Sequence, residues 1–429
     1  MISISKLSAI KKTPWIFNIV KVFSGDIITK LLGVIISLIL IRTLTIDDYA
    51  YFTTFDVMSL WLPSLFGGGI NTVMIRYSAE QYSVTKQRTV NLFLFNFLFQ
   101  IFLYVIFALI FVMFLDKFMM LLFKSLQYKN SFFYGIIGGF AILLSNASLA
   151  IFQAEEKFSK LIFRNWLKQL LNIIFIGTLF WLGYLNFSLA AVSVISVNFL
   201  ISFLIIYYVF RDYNFFELLA HLKEFSNIFK KFVTSSGWLI LYFFTLSLMS
   251  RIDVLMLTKF SPKEELANYG VALKYYSLAL LILNSINIVL LPRFANISMQ
   301  EESRQVQFVR NWIKHTLWII IPVLIFAFFG KGLYVFINGA QYAKSFNIFL
   351  IFTFGVYLSL MFSPIVNVLI ARKLYSFLFF VSLVALVSSY SLCYFLIPHW
   401  ASYAAATIAI GGHALINITA FIKIVKEKI

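Results

Sequence analysis

Twelve apolar runs limit what this chain can fold into more than any other feature. They lie near residues 24–41, 50–75, 91–115, 133–152, 166–184, 189–210, 237–257, 269–291, 316–336, 346–370, 375–396 and 401–422. At about 1.5 Å per residue, such runs are the right length to cross a hydrocarbon layer of about 30 Å as helices. Inside that layer no water satisfies the backbone, so a continuous apolar run must close its hydrogen bonds on itself. Composition points the same way. The chain is 61% hydrophobic and 12% charged, whereas a soluble chain needs about 25% charged residues. The expected fold class is an all-α integral membrane protein of twelve transmembrane helices.

A net charge of +18 in a soluble protein would suggest nucleic acid. Here it has a topological reading, because loops facing the cytoplasm are enriched in Lys and Arg. With the N-terminus inside, 24 of the 35 Lys and Arg fall on the inner side and 8 on the outer, while Lys30, Arg251 and Lys274 lie within spans. Both termini are therefore expected in the cytoplasm. A nucleic-acid partner is not expected. Cys393 stands alone, which excludes an internal disulfide, and the four histidines lack metal-ligand spacing. No cleavable signal is expected, because the first apolar run continues into a full span. No ATP-binding loop, nucleophile elbow or zinc motif is present, so neither an enzyme nor a bound cofactor is expected.

The longest polar loop, from Arg211 to about Lys231, divides the chain into six spans and six. This places an N-lobe at 1–215 and a C-lobe at 216–429. The lobes carry an internal echo. Asp47-Asp48-Tyr49-Ala50 leads through Ser59-Leu60 to Ile70-Asn71 and Arg76-Tyr77, and Glu265-Leu266-Ala267-Asn268-Tyr269-Gly270 leads through Ser277-Leu278 to Ile286-Asn287 and Arg293-Phe294. The Tyr-to-Arg gaps are 27 and 24, so the helical register is not strictly kept. Matched spans lie six apart and cross in the same direction, a parallel repeat about the membrane normal.

Charges inside the spans mark the candidate site. On insertion scales each costs at least about 2.5–3.5 kcal/mol, so it should face a partner or water. Asp26 and Lys30 are four apart on span one and share a face. Asp56 lies in span two, Arg251 and Asp253 in span seven, Lys274 in span eight. Asp253 and Lys274 lie at matching depths, roughly 6 and 7–8 Å below the outer surface, and are expected to pair. Arg251 is two residues from Asp253, near the opposite side of its helix. Together these groups predict a hydrated cavity between the lobes. Gly67-Gly68-Gly69 after Pro63 predicts a break in span two. Pro63, Pro322 and Pro364 are read equally as hinges or close-packing sites. Asn96, Gln100, Asn172, Asn198 and other amides are read chiefly as glue between helices.

These features carry a resemblance. Gly25-Asp26 through Arg42-Thr43-Leu44, Asp48-Tyr49-Ala50, Arg76 after the glycine run, Gln153-Ala154 with its basic loop, and Arg251-Ile252-Asp253 through Asn268-Tyr269-Gly270 to Leu291-Pro292-Arg293 resemble the Wzx-type flippases of bacterial O-antigen and polysaccharide. These belong to the multidrug/oligosaccharidyl-lipid/polysaccharide (MOP) exporter superfamily. The resemblance covers nearly the whole chain on loose motifs. It implies two six-helix lobes in a MATE-like fold, a V-shaped cavity and alternating access. It further implies a substrate of undecaprenyl-diphosphate-linked oligosaccharide, moved from the inner to the outer leaflet of the bacterial inner membrane, beside other glycan-assembly membrane proteins. Arg251, Lys274 and Lys30 would draw in the anionic head group. Asp253, Asp56 and Asp26 would serve in ion coupling, to a proton or cation gradient, or as charge partners. Two alternatives stay open: a cation-coupled multidrug antiporter of the same superfamily, which should offer net acidic groups, and a membrane glycan polymerase or ligase, which should carry long outer loops. Lipid II flippases typically add two helices for which this sequence has no runs.

Overall fold

The structure is a computed structural model that describes residues 14–85, 90–155, 157–211, 225–298 and 310–426. Every element in it is helical. The first half contains α1 (Pro14–Thr43), α2 (Ile46–Thr85), α3 (Val90–Met113), the short α4 (Leu115–Phe123), α5 (Lys129–Ala154), α6 (Phe158–Trp181) and α7 (Phe187–Phe210). The second contains α8 (Phe225–Met249), the short α9 (Ile252–Phe260), α10 (Lys263–Ser298), α11 (Ile320–Asn338), α12 (Ser345–Ala371) and α13 (Tyr375–Lys426). Local signals set several of the ends. The Thr45 hydroxyl accepts the Asp48 N–H at 3.1 Å, and Asp47 and Asp48 occupy the first turn of α2, where the helix dipole favours acids. The Asn186 side chain accepts the Leu189 N–H at 2.9 Å and caps α7.

Eight helical stretches among the described residues are long and apolar enough to cross a membrane. The chain is a multi-pass membrane protein. One of the eight, α13, runs for 52 residues, about 78 Å at helical rise and more than twice the hydrocarbon thickness. It turns back at Ala401 (φ 44°, ψ −124°). Its two arms pack against each other: Lys423 lies 5.6 Å from the Phe377 ring centroid, and Gly412 lies beside Ser389. α6 and α10 are also long enough, but carry Lys160, Arg164 and Lys168, and Lys263, Glu264, Glu265 and Lys274. Counting α8 with α9 as one passage and the arms of α13 as two, the long helices match the twelve apolar runs one for one.

The helices pack in two groups. α1, α2, α3, α5, α6 and α7 contact one another, and α8, α9, α10, α12 and α13 do likewise. The groups meet along α2, which packs on both α8 and α10, and where α10 touches α1. The lobe boundary expected at residues 215–216 lies outside the described residues.

Two details differ from the sequence reading, and both concern where a helix breaks. α2 runs 40 residues through Pro63 and the glycine triplet without interruption. The glycines instead allow close approach. A Cβ on Gly67 would stand 2.5 Å from Gln100 Oε1, and one on Gly69 2.9 Å from the Ile240 Cα. The break falls in span seven, at Ser250–Arg251 between α8 and α9. Here the Trp61 indole N–H and the Ser250 hydroxyl both donate to the Ser247 carbonyl, at 2.6 and 2.9 Å. Side-chain donors satisfy a backbone group at the end of α8, so the helix can stop inside the membrane without leaving it orphaned.

Candidate functional site

A cavity of about 320 Å³ opens between α1, α2, α6, α10 and the α8–α9 break. Lys30 comes from α1, Asp56 from α2, Lys168, Gln169 and Asn172 from α6, Arg251 from the break and Lys274 from α10. Four cationic side chains and one carboxylate thus line it. The structure brings Lys30, Asp56, Arg251 and Lys274 to this one place. The side chain of Asp26 lies outside the described residues.

The expected Asp253–Lys274 pair does not form. Lys274 Nζ lies 2.7 Å from Asp56 Oδ2, an ion pair across the two helix groups. Asp253 is 3% exposed. Its carboxylate accepts the Tyr269 hydroxyl and, at 2.8 Å, the Val254 N–H. The reason is rotational. Asp253 faces the side of α10 that carries Tyr269, and five residues of α-helix turn Lys274 about 140° away from it. Equal depth did not imply a shared face. Arg251, which falls in the break, faces the cavity, while Asp253 in the first turn of α9 does not.

The sequence reading does not single out Lys168, and it takes Asn172 chiefly as helix glue. The available signal is their i, i+4 spacing on α6, which puts both on one face. Asn172 is buried, and its Oδ1 has no hydrogen-bond partner among the described residues. Among the described residues neither Lys168 nor Arg251 forms an ion pair. Other amides do act as glue: Asn96 and Gln100 on α3 donate to Asn71 Oδ1 on α2 at 2.9 and 2.8 Å.

The cavity is sealed on the side of the Tyr49 and Tyr269 ends of α2 and α10. Lys263 pairs with Asp47 at 2.5 Å. The Thr53 side chain fills the space where a Gly270 Cβ would stand. The Tyr49 and Tyr342 rings meet at 5.7 Å, and Arg42 donates to the carbonyls of Phe336 and Ile337. Such a site can hold an anion by charge and hydrogen bonds, with one wall formed by both helix groups.

Known proteins share the fold that carries this site. A family model described as polysaccharide biosynthesis protein matches residues 17–298. No curated protein matches the chain. Among solved structures, the lipid II flippase MurJ in an inward closed conformation superposes with TM-score 0.73 at 14% identity, covering 94% of this chain and 87% of that one. An inward-facing multidrug resistance MATE family transporter of the MOP superfamily gives TM-score 0.65 at 14% identity, covering 93% and 94%. A MOP superfamily transporter from Pyrococcus furiosus, described by the reverse polarity of its binding pocket, gives 0.62 at 13%, covering 96% and 95%. The fold is that of the MOP superfamily.

Proposed function

The chain belongs to the polysaccharide biosynthesis protein family, and from that premise we propose that it is a flippase for undecaprenyl-diphosphate-linked oligosaccharide, O-antigen or capsule repeat units, in the bacterial inner membrane. One observation carries this reading: Lys168 and Arg251 face a membrane cavity without ion-pair partners among the described residues. Unpaired cations there are costly unless an anion or water compensates them. A diphosphate supplies two adjacent anionic groups, and an arginine fork binds phosphate in a fixed geometry.

The cavity walls support the following sequence of events. The head group enters from the cytoplasmic leaflet and is held by Lys168, Arg251 and Lys30. Lys274 then has two competing anions, Asp56 and the phosphate. Transfer of Lys274 to the ligand weakens the Asp56 tie between α2 and α10. The seam opens, and the glycan is released on the other side. Coupling to an inward proton or cation gradient is assigned to Asp253, a carboxylate held inside the C-lobe, with Asp56 as the second carrier. A cationic drug finds less here, since the cavity's one described carboxylate is already neutralised by Lys274.

Surface glycan in a strain that depends on this protein tests the reading. Lys168→Ala and Arg251→Ala should each reduce it at least tenfold with membrane levels of the protein unchanged. Normal surface glycan in the double variant would overturn the assignment.

A further inference from the structure

A second hollow, about 420 Å³, lies on the other side of the α8–α9 break. Its walls are Trp61 of α2, Phe123 of α4, Leu248, Ile252, Leu255 and Met256 around the break, and Leu386, Val387 and Tyr390 of α13; the charge among them is Lys259. The two hollows occupy corresponding places. The cavity lies where α1 packs on α6 and α10, and the groove lies where α8 and α9 pack on α13 and α2. In the six-plus-six numbering these are spans one, five and eight against spans seven, eleven and two. One of the two corresponding clefts carries four cations and a carboxylate, and the other mostly apolar side chains with Lys259.

The hollows also adjoin. Leu60 lines the cavity and its neighbour Trp61 the groove; Arg251 lines the cavity and its neighbour Ile252 the groove. The Trp61 indole, which lines the groove, donates to the Ser247 carbonyl beside the break, where α2 packs on α8. We propose that the groove holds the polyprenyl chain of the same lipid whose anionic head group occupies the cavity, with the molecule seated across the α8–α9 break. This rests on the function proposed above and adds the site of the lipid portion. A ligand with one anionic end and one apolar end matches two adjoining hollows of those characters.

Binding to the purified full-length protein in nanodiscs tests this, with geranylgeranyl diphosphate and inorganic pyrophosphate as probes. Val387 is 59% exposed, so Val387→Trp fills the groove without disturbing the core; Leu255→Trp fills it from the opposite wall. Each should weaken geranylgeranyl diphosphate about tenfold and leave pyrophosphate binding unchanged. Arg251→Ala should weaken both. If the wild type binds both probes and neither filled variant loses affinity for the prenyl probe, the groove does not hold the chain and the inference falls alone. If both filled variants bind pyrophosphate as weakly as the prenyl probe, the effect is not on the chain and the inference also falls. A phospholipid retained by the wild type and lost on filling, at unchanged prenyl affinity, assigns the groove to bulk lipid and overturns it. Failure of the wild type to bind pyrophosphate removes the anion site and both proposals with it.

Discussion

Two carboxylates in this protein have opposite circumstances. Asp56 meets an ammonium at the cavity wall; Asp253 meets a tyrosine hydroxyl in the packed interior. A buried carboxylate depends on its donors, and leaving one unsatisfied costs about 1–3 kcal/mol. Tyr269→Phe should therefore lower the thermal stability of the detergent-solubilised protein by about that amount. Asp253→Asn keeps an acceptor for Tyr269 and should fold normally. If Asp253 carries the coupling proton, that variant, combined with Asp56→Asn, should transport without responding to an imposed gradient. A full gradient response in the double variant would dispose of the coupling role.

Among the elements, the contact between α2 and α10 governs whether the cavity is closed. Gly270 is the residue that lets these helices touch, because any side chain there would meet Thr53. Overpacking of this kind costs about 1–3 kcal/mol. Gly270→Ala should push the helices apart, and the displacement should appear as faster labelling of a cysteine placed at Tyr49. Thr53→Ala, which removes the two closest atoms, should recover most of the change. Equal labelling in all three proteins would show that the seam does not depend on this contact. The glycines of α2 act alike toward α3 and α8, which is why a triplet that reads as a helix break is a packing site.

At the scale of the whole molecule, one end of the bundle is tied by ion pairs that cross between elements. Glu265 of α10 receives the Lys344 ammonium and, at 2.6 Å, the Ser402 hydroxyl from the α13 turn. Burial alone would raise the Glu265 carboxyl; Lys344 and Ser402 outweigh it and hold it below the usual carboxylate range. A depressed carboxyl stabilises the fold above its unfolded value and loses that contribution as pH falls through its folded value. Glu265→Gln should thus melt about 1–2 °C below wild type at pH 7, the modest amount expected of a partly exposed pair. The gap should close on acidification. A gap that persists at low pH would assign the effect to packing.

Length and polarity along the chain are enough to specify the solvent, the twelve passages and which helices carry charge. Hydrocarbon leaves a backbone few choices, so local composition sufficed. It also put Lys30, Asp56, Arg251 and Lys274 forward, together with Asp26 and Asp253. Tertiary structure decided the partners. Lys274 took Asp56 in place of Asp253, and Lys168 and Asn172 joined the cavity. The break fell at Ser250–Arg251, where Trp61 from another helix reaches the Ser247 carbonyl. Those outcomes depend on the rotation of each helix about its axis and on what its neighbour presents, and a linear pattern of apolar residues specifies neither.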